Sequence, residues 1–434
     1  MSSSTHDTTQ AVETAGGLSR RSLLRGAAAA GLGVAGATGL PGGAAAAAGG
    51  VPRSEIEPFY GPRQAGITTR QQSYGLFVAF DVTTTSRDAL ANLLRQWTST
   101  AEALTRGEPA PARPTRVPGA RGDSGIALEL FPARLTFTFG FGPRLFDARF
   151  GLAEHKPAAL DTLPGFPGDQ LVAAHSGGDL LVQICADDQQ ILSHAFLQMR
   201  ALTVGVAALR WSQQGFISPP TDGKAPRNLL GLHDGTSNPR PAKAEFGDLV
   251  WADDAATPSW LRGGTYLVFR KIRLALASWS LTSGAEQDRS VGRRLADGSP
   301  LSAAAGAPTR TKLDLAAVGA DGRPLIDPAA HVRQMHAFPM FRRAYNYDYG
   351  FDSTRLHAGG DEHGDEPGHG GHEAYDAGLL FATFNADPRT QFIPAQQRIA
   401  SNDLLGKFMT PTASGIYAVP PGLQPGQSLG RGLL

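Results

Sequence analysis

The sequence predicts an α+β fold in two fused halves, each an antiparallel β-sheet covered by helices. Three observations predict it. Four apolar segments of strand length recur along the body of the chain, each is followed by a stretch of helical character, and a Pro- and Gly-rich break falls midway. The order strand, helix, strand, repeated on both sides of the break, is that of ferredoxin-like units. With 434 residues, 41% of them hydrophobic and 18% charged, the chain is long enough for two such units and can bury a core in each.

Residues 1–50 are read as part of neither half. A polar stretch, Met1–Leu18, precedes Ser19-Arg20-Arg21-Ser22-Leu23-Leu24-Arg25, a weakly apolar Ala/Gly segment, Gly26–Leu40, and an alanine run, Ala44–Ala48. This is the pattern of a signal peptide. Its paired arginines predict twin-arginine export, with cleavage near Ala46–Gly50 and a secreted or periplasmic location. The apolar segment is short and glycine-rich, which argues against a stable membrane anchor.

The N-terminal half is placed at 51–220. Strands are expected at Gly75–Val82, Ala133–Phe141 and Asp179–Asp187, and helices at Thr85–Leu104 and Gln189–Trp211. The break at Gly215–Arg227 leads into the C-terminal half, 221–434. There, strands are expected at Thr265–Leu274 and Gly378–Asn385, and helices near Thr282–Arg294 and at Ile393–Met409. Each strand segment is enriched in β-branched and aromatic residues and flanked by Gly or Asp. Arg106–Arg121 and Phe351–Tyr375 read as surface insertions.

Charge and cysteine usage exclude some functions. A formal net charge of +1, with no basic stripe interleaved with aromatics, gives no field for nucleic acid. The one cysteine, Cys185, lies in an apolar strand segment and reads as a small buried hydrophobe. A single thiol forms no internal disulfide, which is unusual for an exported protein. The sequence leaves the oligomeric state open.

The chemistry concentrates in Asn228–Pro239, NLLGLHDGTSNP. Asp-Gly alone is an ordinary turn signal. Gly231, Asp234, Gly235 and Thr236 together form a G-x-x-D-G-T run, which resembles the signature of the dye-decolourising peroxidase family. Pro58–Ile67, Trp260–Arg273, Val291–Leu301, Ala330–Arg333, Phe341–Tyr347 and Gly378–Gln396 resemble further segments of that family, in the same order. The resemblance spans about residues 55–425.

The resemblance implies a heme b peroxidase that reduces hydrogen peroxide and oxidises aromatic, phenolic or dye-like donors, with the heme in the C-terminal half. It implies His331 as the iron ligand below the heme, with His336 as fallback, and Asp403 as a candidate acceptor for the ligand's other N–H. Asp327-Pro328 reads as a helix start, which places His331 in a first turn. Above the iron it implies Asp234 as the proton-transferring group and Arg342 as the fixed positive charge, with adjacent Arg343 as the alternative. A carboxylate is a weak base, with an ordinary pKa of about 3.9, so an acidic activity optimum is expected. Ala344 stands where one branch of the family carries an asparagine, and the His331–Arg342 spacing is short for the family.

The heme's two carboxylate arms need donors. Backbone N–H groups of Gly235, Thr236 and Ser237 can supply some, since glycine allows close approach. Arg293 resembles the family's arginine for that purpose. Tyr345, Tyr347, Tyr349 and Tyr375 are candidate relays to donors too bulky to reach the heme. A second reading is an exported heme-binding protein that handles heme or iron, like a deferrochelatase. Asp361–Glu373, DEHGDEPGHGGHE, is a candidate weak site for copper or zinc, and otherwise a solvated loop.

Overall fold

The computed structural model describes residues 56–112, 122–218, 225–351 and 375–434. The leader at 1–50 and the His- and acid-rich run at 361–373 lie outside the described residues.

Among the described residues there are nine strands: β1 (Tyr74–Val82), β2 (Thr136–Phe141), β3 (Leu180–Ala186), β4 (Ala207–Phe216), β5 (Thr265–Leu274), β6 (Phe341–Arg342), β7 (Tyr345–Phe351), β8 (Tyr375–Asn385) and β9 (Met409–Val419). The helices of more than three residues are α1 (Arg87–Thr105), α2 (Gln189–Ala201), α3 (Phe246–Val250), α4 (Leu276–Ser280), α5 (Gly284–Val291), α6 (His331–Met335) and α7 (Phe392–Ser401). No helix among the described residues is long and apolar enough to cross a membrane.

The α+β character and the antiparallel pairing are as expected. The sheet itself is one object. The strands run β5-β9-β2-β3-β1-β4-β7-β8, and β8 pairs back onto β5, so eight strands close a ring. The first four strands join the rest at two places, Phe141 opposite Ala418 and Phe216 opposite Asn346. Closure leaves none of the eight as a free edge.

Strand alternation sorts the core into layers. Leu76, Val78 and Phe80 of β1 pack with Leu180, Val182 and Ile184 of β3 in a large outer core that also takes up Leu90, Leu94 and Trp97 of α1. The residues between them point inward. Phe77 and Ala79 join Leu181, Cys185, Trp211, Phe269, Tyr345, Tyr347, Leu380, Phe384 and Tyr417 inside the ring. Cys185 is buried there, as its apolar segment suggests. Trp211 stacks on Phe269 at 5.0 Å, and Phe77 meets the same ring at 4.9 Å. Each such pair contributes about 0.5–1.5 kcal/mol beyond its buried area.

Three expectations need correction. The helix expected over Gln189–Trp211 stops at Ala201, and Trp211 lies on β4. The turn between them uses Gly205 at φ 78°. The helix expected over Ile393–Met409 stops at Ser401, because Asn402–Phe408 forms the turn into β9. The strand expected over Ala133–Phe141 starts only at Thr136, since Ala133 and Arg134 stand at positive φ, while the helix expected near Thr282–Arg294 is α5.

The seam between β5 and β8 is built on backbone contact. A Cβ added at Gly378 would lie 2.0 Å from the Ile272 carbonyl oxygen and 3.0 Å from Arg273 Cα. Gly378→Ala should therefore destabilise the protein by about 1–3 kcal/mol. Gly284→Ala, which meets nothing within 4 Å, serves as control. Denaturation midpoints decide; equal midpoints for the two variants would show that the seam relaxes freely.

Candidate active site

The second half carries a smaller core outside the ring. Leu230, Leu274, Trp279, Val291, Leu405 and Phe408 form it. Trp279 donates its Nε1–H to the Leu230 carbonyl at 2.9 Å and meets Phe408 edge-on at 4.9 Å. This core seats the segments that bear the candidate residues: the 228–239 loop, the loop after α5, helix α6 and the turn before β9.

Asp234 sits at the tip of a self-bonded loop. Asn228 Oδ1 accepts from the N–H groups of Leu230 and Leu232, at 3.0 and 3.1 Å. Asp234 N–H donates to the Pro226 carbonyl at 2.8 Å. Gly235 follows at φ 83°, a left-handed conformation that favours glycine. Across the site, Arg342 lies on β6. Its Nη2 is 3.1 Å from Asp234 Oδ1, and both side chains are partly exposed.

Asn238 ties the two together, and sequence reasoning gave it no role. Its Nδ2 donates to the Arg342 carbonyl at 2.6 Å, and its Oδ1 accepts the Arg342 N–H at 3.0 Å. The carboxamide thus acts as a strand partner for a strand of two residues. The available signal was only its place in the NLLGLHDGTSNP run.

Arg343 is excluded as the partner of Asp234. Its side chain is 3% exposed and turns the other way, where it donates to Gln72 Oε1 and, at 2.6 Å, to the Thr69 carbonyl. Tyr345, beside it, donates to Cys185 Sγ at 3.3 Å.

His331 stands in the first turn of α6 as expected, but the helix begins at His331 and not at Asp327-Pro328. Its Nδ1 is 2.6 Å from Asp403 Oδ2, and the Asp403 side chain is fully buried. Asp403 Oδ1 also accepts the Leu405 N–H at 2.9 Å, and Leu404 N–H donates to Ala329 at 3.0 Å, so the turn is pinned to the base of α6. With Nδ1 engaged, Nε2 of His331 is the nitrogen left to ligate a metal. His336 is exposed at the far end of α6.

Arg293 lies just after α5. Gly292 before it packs on α6: a Cβ there would meet Val332 Cγ2 at 2.6 Å and Ala330 Cβ at 3.3 Å. Arg293 Nη1 donates to the Gly298 and Thr309 carbonyls at 3.0 and 2.6 Å, while its buried Nε has no partner. Burial holds this guanidinium below its ordinary value. Thr236 is buried and Ser237 exposed. The N–H groups of Gly235, Thr236 and Ser237 make no hydrogen bond among the described residues. Nor do any three His, Cys, Asp or Glu side chains cluster there as a metal site.

The four tyrosines separate. Tyr347 is buried and donates to Asp376 Oδ1 at 3.1 Å, and its ring lies 5.0 Å from that of exposed Tyr349. The Tyr349 ring is open to solvent, but its hydroxyl lies against the Gln214 backbone, and desolvation there pushes it up to about 12. Tyr375 donates to Asp348 Oδ2 at 2.7 Å.

An antiparallel ring thus carries an aspartate–arginine pair on one outer segment and a carboxylate-backed histidine on another. Comparison with known proteins gives the family. A model of the Dyp-type peroxidase N-terminal domain matches residues 64–217, and one of its C-terminal domain matches 225–424. The chain belongs to the Dyp-type peroxidase family and is a peroxidase. A DyP-type peroxidase from Streptomyces coelicolor is similar in structure, with a TM-score of 0.79, 37% identity, and coverage of 88% of this chain and 98% of that one. Ferric DtpA from Streptomyces lividans gives 0.78 and 37%, covering 88% and 97%. A deferrochelatase of Yersinia pseudotuberculosis is 32% identical over 385 residues, which is 86% of this chain and 83% of the relative.

Asp327 sets the entry to α6. Burial pushes its carboxyl up, but the Ala329 N–H and the Arg289 guanidinium outweigh this, and its pKa lies below the ordinary value. A depressed folded pKa contributes stability above the unfolded value, about 3.9, and loses it as pH falls through the folded value. Asp327→Asn should thus be less stable than the wild-type chain at pH 7, with the gap closing below about pH 4. Urea titrations at both pH values test this; a gap that persists in acid would assign the effect to packing.

Proposed function

We propose that the chain is a heme b peroxidase that reduces hydrogen peroxide and oxidises aromatic, phenolic or dye-like donors, with His331 proximal and Asp234 and Arg342 distal. One observation carries the reading: Asp234 and Arg342, 108 residues apart in sequence, meet at 3.1 Å on a segment separate from a histidine backed by a buried carboxylate. The residues fit the cofactor. His331 offers one nitrogen, the unpaired Arg293 Nε and the free N–H groups at 235–237 suit its carboxylate arms, and the Asp403 pair raises the imidazole's basicity.

When bound, heme supplies the electrons that split the peroxide bond and carries the oxidising equivalents to donors. The chain's part is proton and charge management. Asp234 takes the proton from the near oxygen of the peroxide and returns it to the far one. Arg342 stabilises the negative charge that develops as the bond breaks. Asn238 holds both in register. For donors that cannot enter, we infer a path through Tyr347 to exposed Tyr349, with Asp376 as acceptor for the Tyr347 proton.

The relatives named deferrochelatase favour a second reading, in which the same site handles heme iron. The Asp234–Arg342 pair favours peroxide chemistry, since carriage alone requires neither group. We also read the ring as two fused ferredoxin-like halves, on the strand orders β2-β3-β1-β4 and β9-β5-β8-β7. Export by the twin-arginine route is inferred from Arg20 and Arg21; replacing both with lysine should hold the protein in the cytoplasm.

Heme-loaded wild-type protein should show a Soret band that His331→Ala shifts or loses. Asp234→Ala and Arg342→Ala should slow the peroxide-driven spectral change by about 10²-fold or more, and Asn238→Ala by a smaller factor. The wild-type rate should be highest in acid. If Asp234→Ala and Arg342→Ala react like the wild-type chain in stopped flow, the distal assignment is wrong.

A further inference from the structure

The ring interior holds an oxidisable pair that the chemistry above does not use. Tyr345 donates its hydroxyl to Cys185 Sγ at 3.3 Å, and both side chains are fully buried. Cys185 is the one cysteine of the chain and its thiol is free.

Three strands are shaped around this contact. Gly75 of β1 stands opposite Cys185 of β3 on one side and opposite Gly215 of β4 on the other. A Cβ at Gly75 would lie 2.5 Å from Tyr345 Cε2 and 2.7 Å from its Cζ, and one at Gly215 would lie 2.7 Å from Tyr345 Cβ. Glycine inside a strand marks a close approach. Here two paired glycines clear the space that the phenol fills, and the register sets its hydroxyl end against Cys185. Arg343 closes the group. Its guanidinium lies against both Tyr345 and Cys185, it is 3% exposed, and its buried Nε has no hydrogen-bond partner. Burial pushes the Tyr345 phenol well up, against the pull of the Arg343 charge, so the phenol stays an O–H donor to the sulfur.

Burial decides what such a pair can do. An exposed tyrosine passes an oxidising equivalent to a donor outside. Tyr345 meets no solvent, so an equivalent that reaches it has only the thiol to act on, and thiols are readily oxidised. Tyr345 also stands three residues beyond Arg342, on the segment that bears the distal charge. A sulfur that accepts from a phenol hydroxyl lies beside the ring carbon next to that hydroxyl. Removal of one electron and one proton from each side chain lets that carbon and the sulfur join. The S–H bond and one ring C–H bond break, one C–S bond forms, and the phenol keeps its O–H. The two electrons and two protons reduce one hydrogen peroxide to two waters, so the step balances.

We propose that Cys185 and Tyr345 form a modification site, in which peroxide turnover without donor joins Sγ to the tyrosine ring as a thioether. The pair takes up oxidising equivalents that no donor claims. The proposal rests on the heme reading above for the route by which those equivalents arrive.

The test gives the full-length, heme-loaded protein a small excess of hydrogen peroxide with no donor. The chain is then denatured, its thiol titrated and its intact mass read. Wild type should lose its thiol and the mass of two hydrogen atoms, and a protease map should show the Cys185 and Tyr345 peptides joined. Tyr345→Phe should keep its thiol, Cys185→Ala should show no loss of mass, and excess phenolic donor should spare the wild-type thiol. Thermal melts check that both variants fold. A thiol that survives in wild type, in a sample that oxidises donor normally, overturns the site. So does a thiol lost with gain of oxygen, equally in wild type and Tyr345→Phe, which marks direct attack by peroxide. A preparation with no Soret band and no donor oxidation would instead sink the heme reading itself.

Discussion

Strand β8 is the constraint on which the rest depends. It pairs with β5 along one side, Tyr266 opposite Asn385 through Arg273 opposite Gly378, and with β6 and β7 along the other. One strand therefore closes the ring and carries the segment that bears Arg342. The β6 segment has two residues and cannot hold itself; Thr383 Oγ1 donates to the Phe341 carbonyl at 3.1 Å and Asn238 braces Arg342 from outside. Adjacent strand residues face opposite ways. That alternation decides between the two arginines: Arg343 enters the interior to meet Gln72, and Arg342 is left on the outer face, where Asp234 waits.

The strands legible in the sequence were those buried on both faces. Thr265–Leu274 has the same bounds in the structure, and Gly75–Val82 and Asp179–Asp187 lie within a residue of theirs. β4, β7 and β9 were not legible. AALRWSQQGF exposes alternate residues and is rich in Gln and Ser, YNYDYGF carries Asn, Asp and Gly, and MTPTASGIYAV contains Pro and Gly. Propensity disfavours each, and cross-strand pairing overrides propensity. Ring closure was illegible for a further reason. The two halves meet at single residue pairs, Phe141 with Ala418 and Phe216 with Asn346, and no local pattern records a contact so distant along the chain.

The site divides in the same way. Asp234, Arg342 and His331 stood out because they occupy recognisable runs, and the structure gives each a partner consistent with its expected place. The Asn238–Arg342 contact spans 104 residues and the His331–Asp403 contact 72. Asp403 could be named as a candidate only because the resemblance asked for an acceptor.

The two acid–base pairs also differ in kind, and the difference suits their tasks. Asp403 is fully buried, and its carboxyl oxygens are satisfied by His331 Nδ1 and the Leu405 N–H. Leaving a buried acceptor without its partner costs about 1–3 kcal/mol, so the His331 ring is held in one orientation. Asp234 and Arg342 are partly exposed. Pairs open to solvent contribute only about 0–1 kcal/mol, so this contact can open at little cost. On the proposed assignment, a rigid pair on the metal side and a yielding pair on the substrate side are what a site needs if the ligand is to stay fixed while the distal groups change partners in each turnover. The fold supplies both by anchoring His331 to a buried turn and placing Arg342 on a strand of two residues.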